Sequence, residues 1–220
     1  MARRVKAPLA AWIGCALALA LLALVAYGID AAQRADARLL DKFVAREEWR
    51  GLGAIAEVLV HLGDPLALLL MLALACGIAF ARGRPLDALA AVAVVAGANV
   101  TTQLLKVVFS HPRFQAAVGA EQLGEVPFPS GHVTAAASIA IAFVFVVPAA
   151  ARAATVALGV CLVAAVSGAV MVLGWHFPSD VLGGILVAAG WGFAVLALRR
   201  LAAGDRGRGA QVSSRAIPVK

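Results

Sequence analysis

Pro127-Phe128-Pro129-Ser130-Gly131-His132 is a polar knot between long apolar runs, and the rest of the chain reads outward from it. Upstream lies Lys106-Val107-Val108-Phe109-Ser110-His111-Pro112-Arg113, and downstream lies His176-Phe177-Pro178-Ser179-Asp180. Around these segments the sequence is nearly all hydrocarbon. Hydrophobic residues make up 63% of the 220, and the mean hydropathy is +0.93. They come in blocks about a bilayer long, whereas a soluble domain is nearer half apolar and spreads them periodically. The expected fold class is therefore all-α: a polytopic membrane helical bundle.

Six transmembrane helices are expected, over residues 8–29, 65–81, 88–105, 133–149, 155–174 and 181–198. The first follows Arg3, Arg4 and Lys6, as a signal peptide would. It exceeds the ~7–15-residue apolar core of a signal peptide, and no small-x-small cleavage site precedes Asp30, so it reads as a retained span. Residues 30–50 carry dense mixed charge, with Leu39/Phe43 and Leu40/Val44 spaced i, i+4. That pattern fits an outer interfacial helix that lies on the membrane or caps the bundle, and equally a solvated loop helix. From Arg199 the chain is rich in Arg, Gly and Ser and reads as a disordered cytoplasmic tail. The expected organisation is one transmembrane domain, 1–198, and a basic tail, 199–220.

The net charge of +7 does not point to nucleic acid. Lys and Arg flank the apolar blocks instead of forming a stripe on a folded face, so the expected partner is a membrane. With the N-terminus inside, twelve Lys and Arg fall on the inner side and seven on the outer. The positive-inside bias puts both termini in the cytoplasm. Cys15, Cys76 and Cys161 share no ligand-like spacing and read as inert thiols in apolar runs.

Lys106 ends the third expected span, His132 opens the fourth, and His176 lies between the fifth and sixth. Two crossings of roughly 30 Å return the chain to the side it left. All three polar segments thus fall on one face, the outer one.

Ser130-Gly131-His132 stands where a loop becomes a helix. The free N–H groups and positive dipole end of a helix N-terminus make an anion site, and Gly131 permits close approach. The plainer alternative is a helix cap at Ser130 with His132 at headgroup depth. His176 and Asp180 are i, i+4, so a carboxylate on the same helical face can fix the tautomer of the imidazole and make a nucleophile of it. The alternative is again a cap, at Ser179 or Asp180. Lys106 and Arg113 are cations on the outer face, which suits a bound anion, although Lys106 can also snorkel.

Together the three segments resemble the signature of the type 2 phosphatidic acid phosphatase (PAP2) superfamily, which reads Lys-x6-Arg-Pro, Pro-Ser-Gly-His and Ser-Arg-x5-His-x3-Asp. Lys106 and Arg113 keep the first spacing, Pro129 to His132 match the second in full, and His176 with Asp180 end the third. The resemblance runs from about Asp64 to Gly184. There are two departures. Phe114 stands where the family has Pro, and Ala169-Val170 stands where it has Ser-Arg, which removes one phosphate cation. His111, Arg46 and Arg50 are the candidates to replace that charge.

The resemblance implies an integral membrane phosphatase that hydrolyses a lipid phosphate or diphosphate in two steps, without metal or other cofactor. His176 would attack phosphorus and form a phosphohistidine, with Asp180 holding its ring. His132 would protonate the leaving group. Lys106, Arg113, Ser130 and Gly131 would bind the phosphoryl oxygens. Two rivals stand beside this reading: a metal hydrolase built on His132, His176 and Asp180, and a non-catalytic lipid-phosphate binder or transporter of the same fold. Which lipid is cleaved, and the oligomeric state, are not set by the sequence.

Overall fold

A computed structural model of the chain describes residues 2–46, 49–109 and 128–215, with the backbone alone for 2–4, 50 and 204–215. Arg113, His111, Phe114 and Pro127 lie outside the described residues. Those described form helices throughout: α1 (Ala2–Gly28), α2 (Asp30–Val44), α3 (Leu52–Val60), α4 (Pro65–Ala81), α5 (Pro85–Val108), α6 (Gly131–Val146), α7 (Arg152–Val172) and α8 (Pro178–Arg215), with short 3₁₀ turns at Trp49–Gly51, His61–Gly63 and Ala149–Ala151.

Six membrane spans are not what the helix lengths support. Four helical stretches are long and apolar enough to cross a bilayer: Val5–Gly28, Pro85–Val108, Ala149–Val172 and Pro178–Ala203. A fifth results if Leu52–Gly63 and Pro65–Ala81, bent by 53° at Asp64, count as one broken span. The remaining apolar helix, α6, has 16 residues. At 1.5 Å per residue it rises about 24 Å, short of a ~30 Å hydrocarbon core. The reason is its place in the fold. α6 is the central helix, packed on α4, α5, α7 and α8. Val133 to Ile139 are all buried, so protein surrounds it where lipid surrounds the others.

The core is built from small residues. Ala75, Ala79, Ala88, Ala91, Val95, Ile139, Ala142 and Val146 knit α4, α5 and α6, while Ala56, Val60, Val133, Ala136, Val166, Ala169 and Val170 knit α3, α6 and α7. Outward faces carry Leu, Val and Phe, as at Leu17, Leu24, Leu70 and Leu158. With no hydrophobic drive between helices in lipid, small side chains that let backbones approach supply the packing energy.

Helix α2 caps the bundle. Ala37 and Leu40 are buried against Phe177, with Val44 and Met171 alongside, while Leu39 faces out. The docking face is therefore Asp36, Ala37 and the expected Leu40/Val44 pair; of the other pair, Phe43 packs against the α3–α7 cluster and Leu39 alone turns away.

Helix α8 runs past Arg199, where the tail was expected to begin, and continues to Arg215. Arg199 is part of the bundle, because its Nη2 donates to Oδ1 of Asp87 at the start of α5. Arg84 Nε lies 2.6 Å from the other oxygen of this buried carboxylate. Helix-forming residues (Leu198 to Ala203) and a buried counter-ion carry the helix past the last apolar turn.

Candidate active site

The C-terminal ends of α5 and α7 and the N-terminal ends of α6 and α8 meet at one end of the bundle, and the described members of all three polar segments lie there. Close helix approach makes this possible. A side chain at Gly183 would put its Cβ 2.8 Å from the Phe128 ring, and one at Gly184 would stand 2.8 Å from the Ser130 carbonyl. Two adjacent glycines on α8 thus let the segment 128–130 lie directly on the helix. Phe128, wholly buried, meets Phe109 and Tyr27 edge-on with ring centres 5.3 and 5.9 Å away, and Tyr27 hydroxyl donates to the Phe109 carbonyl.

Ser130 occupies the N-cap of α6. Its Oγ accepts from Val133 N–H at 3.4 Å, and its own N–H donates to the Asp180 carbonyl at 3.0 Å. Both groups are thus engaged in structure, and Ser130 is fully buried. Its carbonyl accepts from Thr134 Oγ1, which in turn accepts from Thr102 on α5 at 3.0 Å. The plainer cap reading describes what Ser130 does here. The donors left at this helix start are the N–H groups of Gly131 and His132, which have no partner within the helix. Lys106 comes to the same place. Its Nζ lies 3.6 Å from where a Gly131 side chain would begin, so the missing side chain leaves room between an ammonium and two backbone donors. A phosphoryl group is the kind of anion that fits such a gap.

His176 is not on a helix. It sits in the turn between α7 and α8, closed by Gly174 in the left-handed region (φ 68°) and by Trp175 and His176 N–H both donating to the Val170 carbonyl. His176 is buried, and its Nδ1 stands 3.6 Å from Asp180 Oδ2 without a hydrogen bond. The same Oδ2 accepts from Phe177 N–H at 2.9 Å, so Asp180 caps the helix and faces the imidazole at once. The i, i+4 relation therefore survives, although a turn and not a helical face creates it. His132 lies on the first turn of α6, half-buried, with the Trp175 ring 5.6 Å away.

Three groups at this end of the bundle were not among the expected site residues. Asp36 on α2 accepts from Ser179 N–H at 3.1 Å and from its hydroxyl, tying the interfacial helix to the first turn of α8. Asp36→Ala should cost about 1–2 kcal/mol, the usual worth of a helix cap. Because α8 carries Asp180, it should also lower kcat more than it raises KM; a melting curve with steady-state kinetics reads both. Asp64 and His61, in the turn before α4, are the other two. His61 Nδ1 is 2.8 Å from Asp64 Oδ2, and the hydrogen bond from this imidazole holds the Asp64 carboxyl below the usual carboxylate range. His132 Nε2 is 3.4 Å from Asp64 Oδ1.

Where the family has an arginine, Val170 is fully buried among Ala56, Val60, Val133 and Val166. Arg46, one candidate to replace that charge, donates to the Lys42 carbonyl and lines a groove with Ile55, Ala165 and Gly168. His111 lies outside the described residues, as does the Arg50 side chain. Among the described residues no cluster of three or more His, Cys, Asp or Glu is arranged to hold a metal ion.

Residues 87–202, just over half of the chain, match the PAP2 superfamily. Among solved structures, the chain resembles one described as the first transmembrane PAP2-type phosphatidylglycerolphosphate phosphatase from Bacillus subtilis. The two share 25% identity with a TM-score of 0.71, over 84% of this chain and 93% of the other. No curated protein sequence matches. The family match, the shared architecture and the helices built for lipid make this a multi-pass membrane protein. The chain belongs to the PAP2 superfamily and is a lipid phosphate phosphatase, a phosphoric monoester hydrolase.

Proposed function

We propose that this enzyme hydrolyses a glycerophospholipid phosphate, phosphatidylglycerophosphate foremost, at the extracytoplasmic face through a phosphohistidine on His176. The observation that carries the reading is the convergence at the start of α6: Lys106 Nζ, the helix-terminal N–H groups of Gly131 and His132, and the buried His176–Asp180 pair at the start of α8. The first two supply positive potential for phosphoryl oxygens, and the third supplies an oriented nucleophile. The preference for phosphatidylglycerophosphate rests on the likeness to the Bacillus subtilis enzyme. The outer orientation rests on the excess of Lys and Arg at the opposite end of the helices.

His176 Nε2 attacks phosphorus while Asp180 holds Nδ1–H, so positive charge on the ring is stabilised as the P–N bond forms. The P–O bond to the lipid breaks with its electron pair going to the leaving oxygen, which takes a proton from His132. Water then cleaves the phosphohistidine. Lys106 and the helix N-terminus hold the equatorial oxygens, with Arg113 as the second cation. A groove of about 550 Å³, lined by Ala140, Gly159, Val163, Val181 and Ile185, begins next to Asp180 and gives a hydrocarbon chain a place beside the site.

The test is phosphate release by purified enzyme from phosphatidylglycerophosphate, phosphatidate and polyprenyl mono- and diphosphate, with and without EDTA. Preferential release from phosphatidylglycerophosphate that survives EDTA is expected. Release lost with EDTA would favour a metal hydrolase, and no release from any of these lipids would leave a binding protein.

A further inference from the structure

We propose that Asp64 is the positioning carboxylate of His132, so that each imidazole of the site has its own acid: Asp180 for His176 and Asp64 for His132. The inference deepens the reading above and rests on the acid role given there to His132.

Asp64 holds the N-cap position of α4, with extended backbone at φ −69° and ψ 152°. An aspartate there ordinarily accepts from the N–H of the second or third helical residue. Asp64 makes no such bond. Its two oxygens go to imidazoles instead, Oδ2 to His61 at 2.8 Å and Oδ1 toward His132 Nε2 at 3.4 Å. A capping role therefore does not account for the residue.

The preceding backbone points the same way. Gly63 is buried, and a Cβ there would stand 2.8 Å from His132 Cβ and 2.9 Å from its Cα. The 53° bend between α3 and α4 thus presses the turn onto the first residues of α6 and carries the carboxylate to the ring. On the other side His132 meets Trp175. The charged and titratable groups facing His132 are Asp64 from this turn, with His61 behind it, Lys106 from α5 and His176 from the turn before α8. Asp180 stands beyond His176. Among the described groups that face His132 directly, Asp64 is the one anion.

The chemistry follows from that arrangement. An acid catalyst must be protonated before the leaving oxygen departs, yet burial first, and then the neighbouring His176 and Lys106, work against an imidazolium. A carboxylate on Nε2 offsets them and fixes the proton there, so Nδ1 is the nitrogen that gives its proton to the leaving oxygen. After transfer His132 is neutral, with its remaining proton on Nε2 toward Asp64. His61 shares the carboxylate and moderates its pull.

The test compares two substrates, lysophosphatidate, whose alkoxide leaving group needs protonation, and p-nitrophenyl phosphate, whose phenolate leaves without it. Asp64→Asn should lower kcat on lysophosphatidate about tenfold, leave the aryl ester within about twofold, and move the alkaline limb of the pH profile down by about one unit. Asp64→Glu should restore part of each. A structural role would depress both substrates alike and leave the limb where it was, and that result would overturn the proposal. Should Asp64→Asn not fold, His61→Gln carries the test. Freeing the carboxylate should move the limb upward, and an unmoved limb would count against the proposal. His132→Ala is measured alongside. If it shows no leaving-group dependence, the acid role itself fails and the proposal with it; if it shows one and Asp64→Asn does not, the proposal alone fails.

Discussion

His176→Ala is expected to abolish lipid phosphate turnover, by more than the ~10²–10⁴-fold lost with a general acid or base, because it removes the atom that bonds to phosphorus. Wild-type enzyme quenched during turnover should carry an acid-labile phosphoryl group, and His176→Ala should carry none. The substitution deletes a buried ring in a turn held by backbone bonds to Val170, so the fold should persist and the loss should be chemical. Asp180→Asn should be milder in rate and harsher in stability, since Asp180 also accepts from Phe177 N–H. Near-normal turnover by His176→Ala would place the nucleophile elsewhere.

The polar site was readable because charge and imidazole are costly in an apolar chain and so stand out when they recur at the ends of spans. Chain reversal across roughly equal helices then assigns them to one side, and Lys106, Gly131, His132 and His176 do come together. The roles within the cluster were less readable. Ser130 was expected to bind phosphate; in the fold its hydroxyl caps α6 by accepting from Val133 N–H, and its N–H ties that helix start to α8 through the Asp180 carbonyl. Asp36 was invisible because it sits among Arg34, Arg38, Asp41 and Lys42, where nothing local marks the one charge that reaches a residue far along the chain. Nothing local marks Gly183 and Gly184 in a chain with 21 glycines, and only the Phe128 ring and the Ser130 carbonyl beside them show why a side chain there would not fit.

The count of six spans is not confirmed, for a related reason. Hydropathy measures how apolar a helix is, and α6 is as apolar as its neighbours because protein, not lipid, surrounds it. Its length is set by the helices it packs on, so a bilayer-length rule overstates it. The stretch 51–64 has the opposite character. It carries Glu57 and His61 and is not among the expected spans, yet Ala56 and Val60 are buried against α7 and the stretch forms one arm of a bent helix pair. Burial of two small residues on one face was enough to dock it.

That docked helix decides the largest expected effect on stability, at Val170. The family places an arginine there, and Val170, in the last turn of α7, stands six residues before His176 in the sequence, so Val170→Arg restores a cation at the matching position. The surroundings do not accept it. Val170 is fully buried, and Ala56 and Val60 of α3 with Val133 of α6 fill the space a guanidinium would need. A snorkelling path is closed because α3 covers that side of α7. An Arg there would bury an unpaired charge and overpack a tight cluster at once, a combination on the order of 4–5 kcal/mol or more. Val170→Arg should therefore lose most of its folded fraction in detergent, with a sharply lower melting temperature and an early-eluting aggregate on gel filtration. Val170→Leu, which overpacks without charge, should cost about 1–3 kcal/mol and separate the two contributions. With Val170 packed by α3 where the family has arginine, the reading proposed above leaves more of the dianion's charge to Lys106 and Arg113, and losing either should be unusually damaging. A Val170→Arg enzyme that folds normally and turns over faster would mean that α3 yields and that the phosphate lies within reach of α7.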